Sequence, residues 1–188
     1  MKDVRDLVNL AKKRPGDLNF SSAGHGSGPH LSLERCKLET GVNVVHVPYK
    51  SGAEGVVAVI TGSGAAMFEA PPVVMPHIGA GKLRALAVAS LKRLGAMPQV
   101  AMATESGLPG FETGTWMGIV APAKTRGDIL ARLNSEIGRA VGSPDLLEKF
   151  DAAGIVATAN SSEEFQRFIK TESEWWGEAI RRSGARIE

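Results

Sequence analysis

The stretch that decides the fold is residues 18–31, which read Leu-Asn-Phe-Ser-Ser-Ala-Gly-His-Gly-Ser-Gly-Pro-His-Leu. A short strand-like pattern gives way to three glycines at alternate positions, Gly24, Gly26 and Gly28, and a helical pattern then begins. Glycine tolerates left-handed or crowded backbone, so successive N–H groups can converge on one point. Ser27 suits the N-cap of the helix, and Pro29 suits its first turn. The stretch predicts a corner where backbone amides and the helix dipole bind a carboxylate or a phosphate.

Two nucleotide-binding motifs are excluded for this loop. A P-loop ends in Gly-Lys-Ser or Gly-Lys-Thr, whereas Ser27, Gly28 and Pro29 follow Gly26 here, so no lysine reaches a phosphate. The dinucleotide fingerprint needs a third glycine where this chain has Pro29. No cofactor is therefore expected, and a glycine-rich turn that binds no ligand stays open as the alternative.

The composition is that of an ordinary globular chain. Of its 188 residues, 43% are hydrophobic and 22% charged, which allows one medium domain or two small ones. The net charge is only +2, with basic residues scattered among acidic ones, so neither nucleic acid nor a membrane surface is an expected partner. The single cysteine, Cys36, follows the glycine loop and is interpreted as a small buried hydrophobe.

Helical and strand patterns alternate through the first half of the chain. Helices are predicted at residues 1–13, 28–40, 53–60 and 69–79, and strands at 19–22, 42–49, 65–68 and 83–89. This alternation favours an α/β fold with a parallel or mixed sheet flanked by helices. After a Pro- and Gly-rich loop at 91–115, a strand is predicted at 116–121 and helices at 125–141, 144–151 and from 161 onward.

Five ordered segments resemble one family. They are residues 18–31, 46–50, 76–88, 107–111 and 116–122, and together they resemble the TctC or Bug family, the solute receptors of tripartite tricarboxylate transporters. The resemblance implies a periplasmic-binding-protein fold of type II with two lobes, mainly parallel sheet and a small carboxylate in the cleft. Residues 19–114 would form the complete second lobe, and residues 1–18 and 115–188 would be parts of the first lobe.

The resemblance also implies a binding site. Residues of the glycine loop would bind the carboxylate: Ser22, Ala23, Gly24, His25, Gly26 and Ser27. Tyr49 and Glu69 would lie near the cleft at the next two strand ends. The expected ligand is a dicarboxylate, a tricarboxylate or an acidic amino acid, and the expected partners are the membrane subunits of the transporter. A full-length member would be periplasmic.

This chain departs from the family pattern at three places. Glu69 stands where members usually carry Asp, and residues 61–66 lack the family's acidic residue. Met1 aligns well inside a typical member, and the charged first residues lack a signal peptide's apolar core, so the chain as given is expected to stay in the cytoplasm. Sheet edges and apolar helix faces would then be exposed, which predicts a homo-oligomer or rearranged C-terminal helices. The alternative function is an oligomerising α/β domain with weak or no anion binding.

Other chemistry receives little support from the sequence. The histidines lie on separate predicted elements without ligand-like spacing, so no metal site is predicted from His25, His30, His46 and His77. A nucleophile elbow reads Gly-x-Ser-x-Gly, and here Ser27 comes one place too late. The expected cleft contains backbone donors, serines and one carboxylate rather than a paired acid and base, so no enzyme activity is predicted.

Overall fold

The computed structural model describes residues 1–183, apart from the side chains of Ala179, Arg182 and Ser183. The helices are α1 Val4–Lys13, α2 Gly28–Thr40, α3 Gly52–Ile60, α4 Pro71–Gly79, α5 Gly127–Val141, α6 Pro144–Ala152 and α7 Ser162–Ser183, with a short 3-10 helix at Ala103–Ser106. The strands are β1 Asn19–Ser22, β2 Val45–Pro48 and β3 Ala66–Met67. Strands and helices alternate up to α4, as the sequence patterns predict.

The three strands form one parallel sheet in the order β2-β1-β3. Phe20 of β1 pairs with His46 on one side and with Ala66 on the other. The chain therefore leaves the central strand for β2 through α2, and then crosses back to β3 through α3. A βαβ crossover of this kind is what joins parallel strands, so the predicted α/β fold with a parallel sheet is confirmed.

The main hydrophobic core joins the sheet to both of the first two helices. Leu7 and Ala11 of α1 pack with Phe20 of β1 and Leu33 of α2, and Ala11 and Leu33 are each only 1% exposed. Helix α1 therefore shares the core of the sheet that follows it. The division into lobes at residue 18 stays a prediction, and this packing places α1 with the sheet.

The strand predicted at residues 83–89 is wrong. Only Val88 pairs there, in an isolated parallel bridge with Met102, and residues 83–89 are partly exposed or exposed rather than buried on both faces. The apolar run predicts packing in part, because Ala87 and Ala89 pack against the core cluster that contains Phe111. No ladder of β-sheet hydrogen bonds forms along the segment. A β-strand needs a neighbouring strand to pair with, which an apolar pattern alone does not supply.

The strand predicted at 116–121 is also absent. Residues 111–122 form no assigned helix or strand, and Met117, Ile119 and Val120 are 94%, 72% and 77% exposed. Helices α5 and α6 form as predicted but bury no residue. The predicted exposed apolar surfaces are therefore present in the part of the chain after residue 115. None of the helices in the described residues is long and apolar enough to cross a membrane.

Candidate functional site

Three loops meet at the carboxyl edge of the sheet. The glycine loop, residues 22–27, follows β1, while Tyr49 follows β2 and Glu69 follows β3. In the strand order β2-β1-β3, the chain moves from β1 to β2 on one side and then crosses back to β3 on the other, so the order reverses at β1. The crevice at such a switch point is where open α/β sheets bind ligands. The fold thus brings all eight predicted binding residues to one edge of the sheet.

The glycine loop has the predicted strand-to-helix geometry. Gly24 and Gly26 have φ of 110° and 73°, which are left-handed values that favour glycine. Ser27 is the N-cap of α2, and its hydroxyl oxygen accepts a hydrogen bond from the His30 N–H at 3.4 Å and donates one to the Gly24 carbonyl at 2.7 Å. Pro29 lies in the first turn, where its missing N–H costs nothing. The N-terminus of α2 is therefore anchored to the loop before it.

Several loop amides are already hydrogen-bonded within the chain. The Gly24 N–H donates to Ser22 Oγ at 3.1 Å, the Gly26 N–H to His30 Nδ1 at 3.0 Å, and the Ser27 N–H to the Gly24 carbonyl at 3.3 Å. In the described part of the chain, the N–H groups of Ala23, His25 and Gly28 make no such bond. The amides left free for a ligand are therefore not successive as expected, because those of Gly24, Gly26 and Ser27 shape the loop.

Gly28 lies close to the segment that follows residue 113. A side chain at Gly28 would collide with the methyl group of Thr115, so a larger residue there requires the Thr115 side chain to move. A cavity of about 170 Å³ opens beside it, and its lining residues are Gly28, Leu31, Gly114, Thr115, Trp116 and Trp176. The unpaired amide of Gly28 therefore stands at the wall of a small, mainly apolar cavity.

Tyr49 contributes its backbone to the glycine loop. Its N–H donates to the Ser22 carbonyl at 3.0 Å, and its own carbonyl would lie 3.3 Å from a Cβ at Gly24. Tyr49 also lines a separate groove beside α3 together with Ala53 and Val57. The structure thus places Tyr49 next to the loop, in contact with it through main-chain atoms.

Glu69 directs its carboxylate toward the N-terminus of α3. Its Oε1 accepts a hydrogen bond from the Ala70 N–H at 2.8 Å, and its Oε2 is buried and has no hydrogen-bond partner in the described residues. A side chain at Gly52, the first residue of α3, would collide with Oε2. The positive end of the α3 dipole favours this negative charge. Glu69 therefore places a fixed negative charge at the switch point.

Three histidines converge beneath the glycine loop, contrary to the expectation that they stand apart. One ring nitrogen from each of His25, His30 and His46 lies within 4.8 Å of the other two. The rings of His30 and His46 stack with centroids 3.9 Å apart, and His25 meets both of them edge-on. His77, on α4, is not part of this group. We name His25, His30 and His46 the histidine cluster.

Hydrogen bonds tie the histidine cluster to the glycine loop. His46 Nε2 lies 2.6 Å from Ser22 Oγ, and His30 Nδ1 accepts the Gly26 N–H. Burial, with smaller contributions from the neighbouring His30, His25 and Lys37, lowers the pKa of His46 to about 4. Burial also lowers the pKa of His30, against the opposing effect of Glu34. Both rings are therefore neutral at pH 7.

The sequence carried one usable signal for this convergence. His46 lies on a strand whose parallel partner is β1, and β1 leads directly into the loop that contains His25. A predicted βαβ unit brings both strand ends to the same edge, but the register that sets Phe20 opposite His46 depends on packing.

Cys36 lies outside the site. It is 6% exposed in the core cluster with Phe111, and burial raises the pKa of its thiol to about 11. A buried, protonated thiol is a poor nucleophile. The interpretation of Cys36 as a small buried hydrophobe is confirmed.

Comparison with known structures defines the class of protein. The structure described as "R. palustris Rpa4515 with adipate" superposes with a TM-score of 0.92 at 30% identity, over 98% of this chain and 62% of that one. "Periplasmic binding protein BugD" superposes with a TM-score of 0.84 at 26% identity, over 100% and 64%. "MatC (Rpa3494) from Rhodopseudomonas palustris with bound malate" superposes with a TM-score of 0.80 at 26% identity, over 95% of this chain and 62% of that one. The fold is that of periplasmic binding proteins.

The sequence itself identifies the family. Residues 1–185 match the family described as "Tripartite tricarboxylate transporter family receptor", TctC, and the chain belongs to it. Protein BugT of Bordetella pertussis is 34% identical over 182 residues, 97% of this chain and 56% of that protein. The "UPF0065 protein in tcbD-tcbE intergenic region" of Pseudomonas sp. strain P51 is 34% identical over 180 residues, which are 95% of this chain and 54% of that protein. The chain thus spans about half the length of the curated relatives it matches.

Family membership confirms the predicted resemblance. It also agrees with the prediction that the chain is not an enzyme, because the family consists of transporter receptors.

Proposed function

We propose that this chain is the carboxylate-binding part of a solute receptor, and that the glycine loop binds one carboxylate of a small organic acid without catalysis. The observation that carries the proposal is the set of unpaired N–H groups of Ala23, His25 and Gly28 at the switch point of the sheet. Backbone amides at a helix N-terminus bind anions through hydrogen bonds and the helix dipole. Two structural relatives, one described with adipate and the other with bound malate, support an organic acid as the ligand.

Glu69 supports a restriction on the ligand. Its carboxylate already occupies the N-terminus of α3, so a second negative charge placed there would be repelled. We propose that a dicarboxylate, a tricarboxylate or an acidic amino acid binds with one carboxylate at the glycine loop and extends away from Glu69, with Tyr49 at the margin of the site. In the whole receptor, the partners are the membrane subunits of the transporter and the compartment is the periplasm.

A thermal-shift screen tests the proposal. The melting temperature of the chain is measured with adipate, malate, a tricarboxylate and aspartate, each in turn. A ligand that binds only the native state raises the stability of that state by RT ln(1 + [L]/Kd). At a ligand concentration of 100 times Kd, we expect the melting temperature to rise by about 5–10 °C. Absence of a shift with every acid would contradict the proposal.

Gly26→Ala and Gly41→Ala form a matched pair for this screen. Both glycines have left-handed φ, 73° and 69°, so both substitutions cost about 1 kcal/mol of backbone strain. Gly26 lies in the glycine loop, whereas Gly41 is the exposed C-cap of α2 with open space around it. We expect Gly26→Ala to abolish the ligand-induced shift and Gly41→Ala to retain it. Equal shifts in the two variants would place the ligand elsewhere.

A further inference from the structure

The histidine cluster is the feature that the carboxylate site leaves unexplained. Carboxylate binding uses the loop amides, whereas the cluster supplies three imidazole rings beside them. We propose that His25, His30 and His46 bind one divalent transition-metal cation of the Zn²⁺ class. This proposal concerns the imidazole rings and does not depend on carboxylate binding.

The type of ligand atom selects the type of cation. Imidazole nitrogen suits Zn²⁺, Co²⁺, Ni²⁺ and Cu²⁺, whereas Mg²⁺ and Ca²⁺ prefer oxygen ligands. A carboxylate beside the cluster belongs to Glu34, whose Oε1 lies 3.8 Å from His30 Nε2 and 2.9 Å from the Lys37 ammonium. Because Glu34 is already paired with Lys37, the cluster is an all-nitrogen set. Three protein ligands leave a further coordination position for water or another small ligand.

The cluster has a buried side and an open side. His30 is 4% exposed and His46 is half-buried, while His25 is exposed on the glycine loop. A cation can therefore arrive from solvent through His25 and be held against the other two rings. A site that combines a fixed interior with an entry path meets one of the basic conditions for metal binding.

Two of the rings already have the additional partners that orient metal-binding histidines. A ligating histidine usually makes a hydrogen bond with its other nitrogen, which fixes the ring and its tautomer. Ser22 Oγ lies 2.6 Å from His46 Nε2, which leaves His46 Nδ1 for the cation. His30 Nδ1 accepts the Gly26 N–H, and its Nε2 faces Glu34.

Coordination requires a small, specific rearrangement. With Zn–N bonds of about 2.0–2.1 Å in a tetrahedron, ligand nitrogens stand about 3.3 Å apart, closer than the present limit of 4.8 Å. The lone pair of a ring nitrogen lies in the plane of its ring, so two stacked rings cannot both direct it at one ion. His30 and His46 must rotate out of their stack, and the hydrogen bond between Gly26 and His30 changes as they do. Cation binding should consequently be visible at the backbone amide of Gly26.

The test titrates the full 188-residue chain, purified without a histidine tag, with Co²⁺ as a spectroscopic probe and Zn²⁺ as its competitor. We expect one Co²⁺ per chain, displacement of Co²⁺ by Zn²⁺, and a shift of the Gly26 amide resonance. His25→Ala removes a ligand from an exposed loop position and should weaken binding by roughly 100-fold, since even loss of a supporting partner commonly costs 10–100-fold.

His77→Ala is the matched control, because it removes a histidine outside the cluster and should leave the Co²⁺ affinity unchanged. Circular dichroism of the metal-free variants checks that both are folded, and His25→Gln provides a second, less disruptive variant with the same expected loss. Equal affinity in His25→Ala and His77→Ala, or binding without a 1:1 endpoint, would overturn the proposal.

Discussion

Residues 1–114 and residues 115–183 differ sharply in how they use apolar side chains. Every buried hydrophobic residue in the described part of the chain lies between Val4 and Phe111. In the later region, α5 and α6 bury nothing, and Met117 is 94% exposed. Both regions contain helices with a well-developed apolar face. An amphipathic pattern thus specifies that a helix face is to be buried, but not what will bury it.

The later region still makes a few specific contacts with the earlier one. Helix α7 packs on α2, and Arg35 of α2 lies with its guanidinium 4.7 Å from the ring centroid of Trp175. Trp116 meets Phe165 and Phe168 edge-on, and its ring N–H donates to Glu172. The tryptophan pair at 175–176 thus belongs to a helix that packs on the rest of the chain. These contacts are few enough that the two regions should respond differently to mutation.

The largest expected difference is in the free energy of unfolding, between the variants Phe111→Ala and Met117→Ala. Phe111 is fully buried, and its loss leaves a cavity that should lower the free energy of unfolding by about 3–5 kcal/mol. Met117 is almost fully exposed, so its replacement should change that free energy by no more than about 0.5 kcal/mol. Urea unfolding measures both values. Comparable losses in the two variants would mean that Met117 is covered in solution.

The second difference concerns pH, because the histidine cluster lies in the first region. The pKa of His46 is lowered to about 4 in the folded chain by burial and by His30, His25 and Lys37. The unfolded chain, with an ordinary histidine pKa of about 6.5, therefore binds the proton more strongly. The contribution of His46 to stability should be constant above pH 6.5 and fall as the pH drops from 6.5 toward 4. Below pH 4 it should level off.

Thermal melts between pH 4 and pH 8, with a chelator present, measure this dependence. His46→Gln should flatten the slope between pH 6.5 and pH 4, and His77→Gln should leave it as in the parent chain. The effect should be smaller than for a fully buried ring, since His46 is partly exposed to solvent. An unchanged slope in His46→Gln would show that other groups carry the acid sensitivity.

The third difference contrasts two serines at helix N-caps. The Ser27 hydroxyl accepts a bond from the His30 N–H, so Ser27→Ala should lower the stability by about 1 kcal/mol. Ser143 begins α6 but makes no side-chain cap bond, since its hydroxyl donates to the Ala140 carbonyl. Ser143→Ala should cost less, about 0.5 kcal/mol or below. Chemical denaturation measures the loss of stability in both variants. A larger loss for Ser143→Ala than for Ser27→Ala would contradict this prediction.

The smallest effect on stability, but a clear effect on assembly, is expected at Ile119. We propose that the exposed apolar residues 117–120 make the chain, as given, self-associate, because such surfaces pair with other copies. Ile119→Lys should leave the unfolding free energy within about 0.5 kcal/mol and shift the protein toward monomer. Sedimentation velocity measures the shift, with Lys124→Ala, also in the later region, as a control. A monomeric parent chain would refute the proposed oligomer.

Much of the local structure could be predicted from residue patterns. Helix α2 begins at Gly28 and ends at Thr40 as predicted, because Ser27, Pro29 and Gly41 mark its ends by capping and backbone geometry. The strand β1 likewise matches its predicted bounds. The predicted strands at 83–89 and 116–121 are absent, because a strand depends on a partner elsewhere in space. The lobe division, the membrane partners and the compartment stay predictions.

Residue patterns were enough to predict the family, the βα alternation and the glycine loop at which we propose the carboxylate site. They were enough because glycines, caps and apolar periodicity act over a few residues at a time. Only the tertiary structure decided which loop amides are unpaired, where Glu69 directs its charge, and that three histidines meet. Those outcomes depend on strand register and on contacts between residues distant in sequence, such as Ser22 with His46, which no local pattern encodes.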